Sequence, residues 1–328
     1  MKIRIGLPYM PGPPGHPFTV ALDELRAASL TSVGSLISVG SLFRPETGWR
    51  RPALSVWRHG PALDSAGFVA QARFGGYRWS VEDYVDRVVR NFTRDDGGDE
   101  DPPRWAMPHP WAWWSAMDFC CEAEIAPRRD EVVRRMAATV DSYVETLGHL
   151  QGWRDEGDTD TPDPLPILQG RRPEDYLAMA RELAAAIDGA HRCTCPLGDP
   201  ESCPSGWHRE HAGLPALVGL GSVCRRPVGG AEGILSVIAA LDAHLPPHVQ
   251  LHLFGVKGSV LGKLVPVRHR VASIDSAAWD LAARREANAQ GVKRTPELRA
   301  AFLRRWYLAQ RPEPVRQVSL FAPRGVSP

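Results

Sequence analysis

Long apolar runs are missing from this 328-residue chain. None approaches the roughly 20 residues that a membrane-spanning helix needs, so no such span is expected. Strong net charge is missing too. The 39 Lys and Arg offset 38 Asp and Glu, giving a formal charge of +1 and no global pull toward nucleic acid. Any such binding must use local patches. Six cysteines are too few, and too unevenly placed, for a disulfide scaffold in a chain of this length, which leaves metal-binding or structural roles. Only four of the 39 basic residues are lysine, a bias that suggests a GC-rich source and excludes no chemistry. The opening MKIRIG and the Pro-rich stretch after it do not form a secretory signal, so a cytoplasmic location is expected.

What is present suffices for one large core with an attached subdomain, at 43% hydrophobic residues. The stretch 251–280, LHLFGVKGSVLGKLVPVRHRVASIDSAAWD, sets the pattern for the rest. The apolar runs 251–256 and 271–274 have the length of strands buried on both faces, the first ending in Gly255, Lys257 and Gly258. The second delivers Asp275 just before a helical run through Arg285, which is the rhythm of a parallel β/α unit. In such units chemistry gathers at the carboxyl ends of the strands. An Asp at a strand-to-helix junction can also be a plain helix N-cap.

Similar units recur along the chain. Residues 1–7 and 35–42 have strand character, with a helix around 22–28. The run 53–57 precedes PALDSAGF at 61–68, where Asp64 stands at a strand end. A helix is expected over 77–90 from a Ser80 N-cap. After the acidic loop 95–103 come Trp105, Trp111, Trp113 and Trp114, suited either to stacking on bases or a sugar or to burial in the core. AMDFCCE then offers Asp118. Helices are expected over 129–150, 173–187, 231–244 and 296–310, and strands end at Gln169 in LPILQG and at Gly221 in LVGLGSV. About eight strand ends result, which points to an α/β protein built as a (β/α)8 TIM barrel over residues 1–310.

Residues 189–212 interrupt the alternation. Cys193, Cys195, Cys203 and His208, with His191 and His211 as substitutes, can close a tetrahedron around a structural Zn2+.

In order along the chain, DSAGF at Asp64, MDFC ending in Cys120, LQG at Gln169, GLGS at Gly219 to Ser222, FGVKG at Phe254 and IDS at Asp275 resemble the tRNA-guanine transglycosylase superfamily. The similarity is greatest to its branch that inserts 7-deazaguanines into DNA, found in bacteria and phages. The resemblance implies exchange of guanine for a base such as 7-cyano-7-deazaguanine through a covalent glycosyl-enzyme ester. It places the nucleophile on Asp275 and the general acid/base on Asp64. Asp118 would accept from guanine N1 and the exocyclic amine, and Gln169 would donate to the base carbonyl with backbone N–H groups near Gly221 and Ser222. Phe68 and Phe254 would sandwich the base, with Gly255 beneath it. Arg284 would contact phosphate, although Arg284 and Arg285 equally fit a solvated helix face. Lys257, Arg225, Arg226, Lys263, Arg268, Arg270, Lys293 and Arg294 are further candidates to track phosphates.

Singly, each site residue has an ordinary structural reading: a cap for Asp64, an Arg partner for Asp118, a satisfied loop for Gln169, core for Phe68. The chain also departs from the tRNA-acting members. Its Cys/His cluster precedes the Gly219 strand, Ala66 stands where the motif has glycine, and SAAWDLAAR follows the nucleophile. These departures favour DNA over tRNA as substrate; a non-catalytic nucleic-acid-binding relative is the third reading. In the tail, 311–328, QVSLF from Gln317 to Phe321 resembles the pentapeptide by which bacterial DNA enzymes dock on the sliding clamp; packing of the tail on the barrel is the alternative.

Overall fold

The structure is a computed structural model that describes residues 2–7, 16–27, 33–49, 61–90, 111–157, 161–190, 213–256 and 258–310. Strand β1 (Lys2–Leu7) leads into α1 (Pro17–Ala27) and β2 (Val33–Ser38), followed by a 3-10 turn and a short antiparallel hairpin, β3 (Phe43–Arg44) with β4 (Gly48–Trp49). Then come β5 (Ala62–Asp64), α2 (Gly67–Phe74), a π-helical segment Asp83–Arg90, β6 (Trp113–Trp114), α3 (Arg129–Asp155), β7 (Ile167–Leu168) and α4 (Pro173–Ala190). The chain continues through β8 (Leu217–Leu220), α5 (Ile234–His244), β9 (Gln250–Leu253), a 3-10 segment Gly258–Val267, β10 (Val271–Ser276), α6 (Ala278–Ala289) and α7 (Pro296–Gln310).

Eight of these strands form one parallel sheet in the order β6-β5-β2-β1-β10-β9-β8-β7. The sheet curls until its edges meet. Ser115, just past β6, pairs in parallel with Leu165, just before β7; Leu165 N–H donates to the Trp114 carbonyl at 2.7 Å and Ala116 N–H to the Leu165 carbonyl at 3.1 Å. The result is a TIM-like barrel whose strands follow chain order once the hairpin is set aside.

Two-residue alternation sorts the strand side chains, interrupted by a register shift between Val271 and Ser273 in β10. Ile3, Ile5, Ile37, Leu63, Trp114, Leu168, Val218, Leu220, Leu251, Leu253 and Ile274 face outward into the large core shared with the helices. The intervening Leu36, Ala62, Trp113, Leu165 and Ile167 pack with Leu217 and Phe254 in a second, smaller cluster that fills the barrel interior. On β1, β9 and β10 the corresponding positions are polar: Arg4, His252, Ser273 and Asp275, all buried. Burying one Leu- or Trp-sized side chain contributes about 1.5–3 kcal/mol, so the outer core supplies most of the driving force and the interior can accommodate these polar groups.

Several expectations are adjusted. The strand that delivers Asp64 is made of residues 62–64; the run 53–57 lies outside the described residues. Asp118 stands four residues past β6 rather than at its last residue. The helix expected at 77–90 begins after Ser80, whose Oγ accepts from Asp83 N–H at 3.0 Å, and winds as a π-helix. Trp111, Trp113 and Trp114 are buried, which removes them as exposed stacking platforms. Residues 189 and 190 close α4. The metal candidates Cys193, Cys195, Cys203 and His208, together with Trp105, Lys257 and the tail 311–328, lie outside the described residues.

Candidate active site

A cavity of about 380 Å³ opens at the carboxyl ends of the barrel strands. Its lining includes nine residues singled out in the sequence: Asp64, Phe68, Asp118, Gln169, Gly221, Ser222, Phe254, Gly255 and Asp275. They come from the ends of six strands, β5 to β10, or from the segments just after them, which is how stretches far apart in the chain reach one spot. Asp64 and Asp275, 211 positions apart by their numbers, share this one space.

Asp275 is fixed from below. Its Oδ1 accepts the Gly255 N–H at 2.7 Å and lies 3.4 Å from His252 Nε2. Gly255 turns with φ +66°, where a Cβ would come within 2.8 Å of the Cys224 Cβ, so the close backbone approach to Asp275 requires glycine. His252 is fully buried, and its Nδ1 lies 2.8 Å from Ser273 Oγ. Burial lowers the histidine pKa, only partly opposed by Asp275, so the ring is neutral at pH 7. A carboxylate can only accept, so the proton sits on Nε2 facing Asp275 while Nδ1 accepts from Ser273. Arg4 lies in the same interior, its guanidinium 5.0 Å from the Trp113 ring centroid; burial draws its pKa down to about 10 and Asp275 works in the opposite direction. Among the described residues, the Gly255 N–H bond and the His252 approach both fall on Oδ1.

Asp64 has the opposite electrostatic environment. Burial, then the negative charges of Asp118 and Asp275, push its pKa up to about 8, only partly offset by the Ala66 N–H and Ser38. It is therefore largely protonated at pH 7. A carboxyl group held protonated within reach of a second carboxyl is an arrangement that can serve acid/base chemistry.

The far wall carries Asp118 and Gln169, whose acceptor and donor groups suit the edge of a planar ligand. Asp118 Oδ1 accepts from Ser65 Oγ at 2.5 Å, and Oδ2 accepts from Gln169 Nε2. Tyr77 locks the Asp118 backbone, donating to its carbonyl at 2.8 Å while its Oη lies 3.1 Å from Asp118 N. Burial raises Asp118 to about 6, with the Ser65 bond opposing it and Glu122 adding to it. Gln169 Oε1 accepts from Ser222 Oγ. A Cβ at Gly221 would collide with the Gln169 side chain, which accounts for glycine there. Phe68 and Phe254 both line the space. The Arg225 guanidinium covers Phe68 at 4.5 Å, and Phe254 meets His252 edge-on at 4.6 Å.

Among the described residues, two non-glycines have positive φ, Ala66 at 66° and Ser222 at 54°. Both border the cavity. Backbone strain at a site is held in place by its surroundings, here by the Asp64–Gly67 turn and the Ser222 hydrogen bonds.

The basic residues divide. Arg284 and Arg285 are exposed on α6, with Arg284 3.8 Å from Asp280; the same carboxylate binds Arg294 and Arg299 at 2.9 and 2.8 Å. Two phosphate candidates are corrected. Arg226 spends its guanidinium on the carbonyls of Gly170, Arg171, Ser222 and Glu232, clamping the loops after β7 and β8. Arg270 is buried at the opposite, amino-terminal end of the strands, bonded to Asp242 and to the Pro246 and Val249 carbonyls.

The sequence reading did not pick out His252, Arg4, Ser65, Tyr77 or Glu122. Two had a visible signal. In KIRIGL and LHLF a polar residue falls on the alternate, inward phase of a barrel strand.

A search of curated proteins finds no match to this chain. A family model described as "DpdA: DeoxyPurine in DNA protein A" matches residues 25–194 and 209–319, most of the chain and every cavity residue named above from Asp64 onward. With Asp64, Asp275 and the Asp118–Gln169 pair in one cavity, all inside that match, the chain belongs to the DpdA family of DNA 7-deazaguanine transglycosylases, relatives of the tRNA-guanine transglycosylases.

Proposed function

We propose that the protein exchanges guanine in DNA for a 7-deazaguanine by double displacement; the 7-cyano base is the candidate that the superfamily resemblance supplies. The observation that carries this reading is the meeting of Asp64 and Asp275 in one cavity beside the Asp118–Gln169 pair. An anomeric carbon inside a duplex is shielded from in-line attack, so the target nucleotide must leave the stack to enter the pocket. Asp118 and Gln169 hold the flipped base. Asp275 Oδ2 attacks C1′ as the bond from C1′ to the base breaks, and Asp64 delivers its proton to the departing guanine. The product is a glycosyl ester on Asp275. Guanine leaves, the 7-deazaguanine takes its place, and Asp64, now a carboxylate, removes the proton from its ring nitrogen as that nitrogen bonds C1′ and releases Asp275. Atoms and charge return to their starting state.

The Cys193, Cys195, Cys203 and His208 set is proposed as a structural Zn2+ site on the chemistry of its donors. One zinc per chain by elemental analysis, lost on Cys195→Ser, is the expected outcome. Gln317 to Phe321 is proposed as a sliding-clamp contact.

The test is nucleoside mass spectrometry of DNA and tRNA after incubation with candidate bases. The modified deoxynucleoside should appear in DNA, less of it as salt rises, with a covalent protein–DNA adduct that Asp275→Ala abolishes. Modification of tRNA with DNA untouched, or full function in Asp275→Ala, would sink the proposal.

A further inference from the structure

A second cavity, of about 260 Å³, has no part in the exchange described above. Its lining is Pro127, Arg129, Val132, Arg171, Arg172 and Glu232, so three guanidinium groups meet one carboxylate. Arg129 is balanced from behind: it lies 2.5 Å from the buried Asp175, whose other oxygen accepts the Arg171 and Arg172 N–H groups at 2.9 Å. Arg172 and Glu232 are both exposed and stand 3.7 Å apart, a contact that contributes little. Arg171 is half-buried and has no carboxylate for its side chain among the described residues. Its Nη1 donates to the Pro127 carbonyl at 3.0 Å and reaches the Ala126 carbonyl at 3.4 Å, and a carbonyl is a dipole that cancels no net charge. With Asp175 and Glu232 set against the three arginines, one positive charge is left over beside the apolar Pro127 and Val132. One phosphodiester carries the matching negative charge.

The place of this cavity in the fold selects the source of the phosphate. Pro127 and Arg129 lie where the segment after β6 enters α3, Arg171 and Arg172 where the segment after β7 enters α4, and Glu232 just before α5. These are the carboxyl-end segments of three strands that stand side by side, β6 meeting β7 across the seam. The same segments bring Asp118, Gln169 and Ser222 to the base pocket, and Arg171 follows Gln169 by two positions. Arg226 ties the two sites together, donating to the carbonyls of Gly170 and Arg171 and to those of Ser222 and Glu232. A nucleotide that enters the base pocket stays joined to its strand, so the backbone on either side of it must cross this rim of the barrel. The cavity is smaller than the roughly 300–1,000 Å³ that encloses a whole small-molecule ligand, a size that suits a phosphate with part of its sugar.

We infer that this cavity is a backbone-phosphate site, in which Arg171 supplies the unbalanced charge between Arg129 and Arg172 and grips the target DNA strand beside the nucleotide held in the base pocket. This rests on the base-exchange reading for the course of the strand. A phosphate contact fixes register and affinity and reads no sequence, so Arg171 belongs to DNA binding and takes no part in the bond-breaking step.

The test uses the full-length protein and DNA oligonucleotides with one target guanine, in which each backbone phosphate in turn is replaced by an uncharged methylphosphonate. In the wild type, one or two replacements on one flank of the target should weaken binding by about threefold or more. Arg171→Met should weaken binding of unmodified DNA by a similar factor, lower the slope of log affinity against log salt by about one, and be indifferent to those same replacements; Arg171→Lys should recover most of the loss. The wild-type series needs no variant to fold. A loop merely loosened from the Ala126 and Pro127 carbonyls would also lower the affinity for free 7-deazaguanine, which calorimetry should find unmoved in Arg171→Met. The inference is overturned if the losses from Arg171→Met and from every replacement simply multiply, if the salt slope is unchanged, or if free-base affinity falls as far as DNA affinity. Saturation by inorganic phosphate at matched ionic strength, with every DNA phosphate uncoupled, assigns the cavity to a free anion and overturns it too. Coupling to one phosphate without base incorporation leaves the site standing and sinks base exchange, whereas incorporation with no coupled phosphate sinks the site alone.

Discussion

Asp64, Asp118, Glu122 and Asp275 crowd one small space, and they cannot all be charged at once. The pocket resolves this by raising Asp64 to about 8 and Asp118 to about 6. If Asp118 must be ionised to accept from the base and Asp64 protonated to release it, kcat/KM should rise through pH 6 and fall above pH 8; these limbs belong to the coupled set of carboxylates. Asp64→Asn should remove the upper limb and cost about 100-fold or more in kcat. The same substitution has a stability signature of definite sign. Asp64 binds its proton more tightly folded than unfolded, so between about pH 4 and pH 8 the native state holds the extra proton and stability falls as pH rises. Denaturation curves should therefore show Asp64→Asn gaining on the wild type across that window, by on the order of 1–3 kcal/mol at pH 8. His252→Phe keeps a ring of similar size and removes the proton facing Asp275. A loss of about tenfold in kcat, with little change in KM for DNA, is expected.

At the scale of elements, the turn between β5 and α2 is where the sequence departs from the superfamily motif, and the backbone explains why the motif has glycine. Ala66 is held at φ 66° and ψ 31°. Ala66→Gly should raise stability by about 1 kcal/mol, a shift of a few degrees in Tm. Long helices were legible: Pro296 to Gln310 is found as read, and α3 and α4 only run further at their ends. The short strands were not. β5, β6 and β7 are three, two and two residues long, too short for any period to show, so their ends were placed through the motif residues that follow them. The cavity carboxylates Asp64, Asp118 and Asp275 were readable because they sit in those motifs. His252 was marked only by its inward phase on an apolar strand, and Glu122 not at all, because a glutamate after two cysteines carries no local mark of what the fold brings beside it.

Across the whole molecule the two ends of the barrel do different work. At the carboxyl end the loops gather the cavity residues; at the amino end Arg270 ties α5 and the starts of β9 and β10 through Asp242 and two carbonyls. Arg270→Met should lose about 2–4 kcal/mol by chemical denaturation without altering the pH profile of the remaining active fraction. The seam of the barrel has a different consequence. Ser115, whose backbone meets Leu165, also accepts the Ser65 N–H on its Oγ at 2.9 Å and the Tyr84 hydroxyl on its carbonyl at 2.7 Å, and Ser65 in turn grips Asp118. Asp118 and Gln169, the pair proposed to hold the base, stand on opposite banks of this narrow join. A guest that bridges them acts as a stitch across it, so occupancy of the pocket should slow deuterium uptake at Leu165 and Ala116, and an empty pocket should leave this the first place where the cylinder parts.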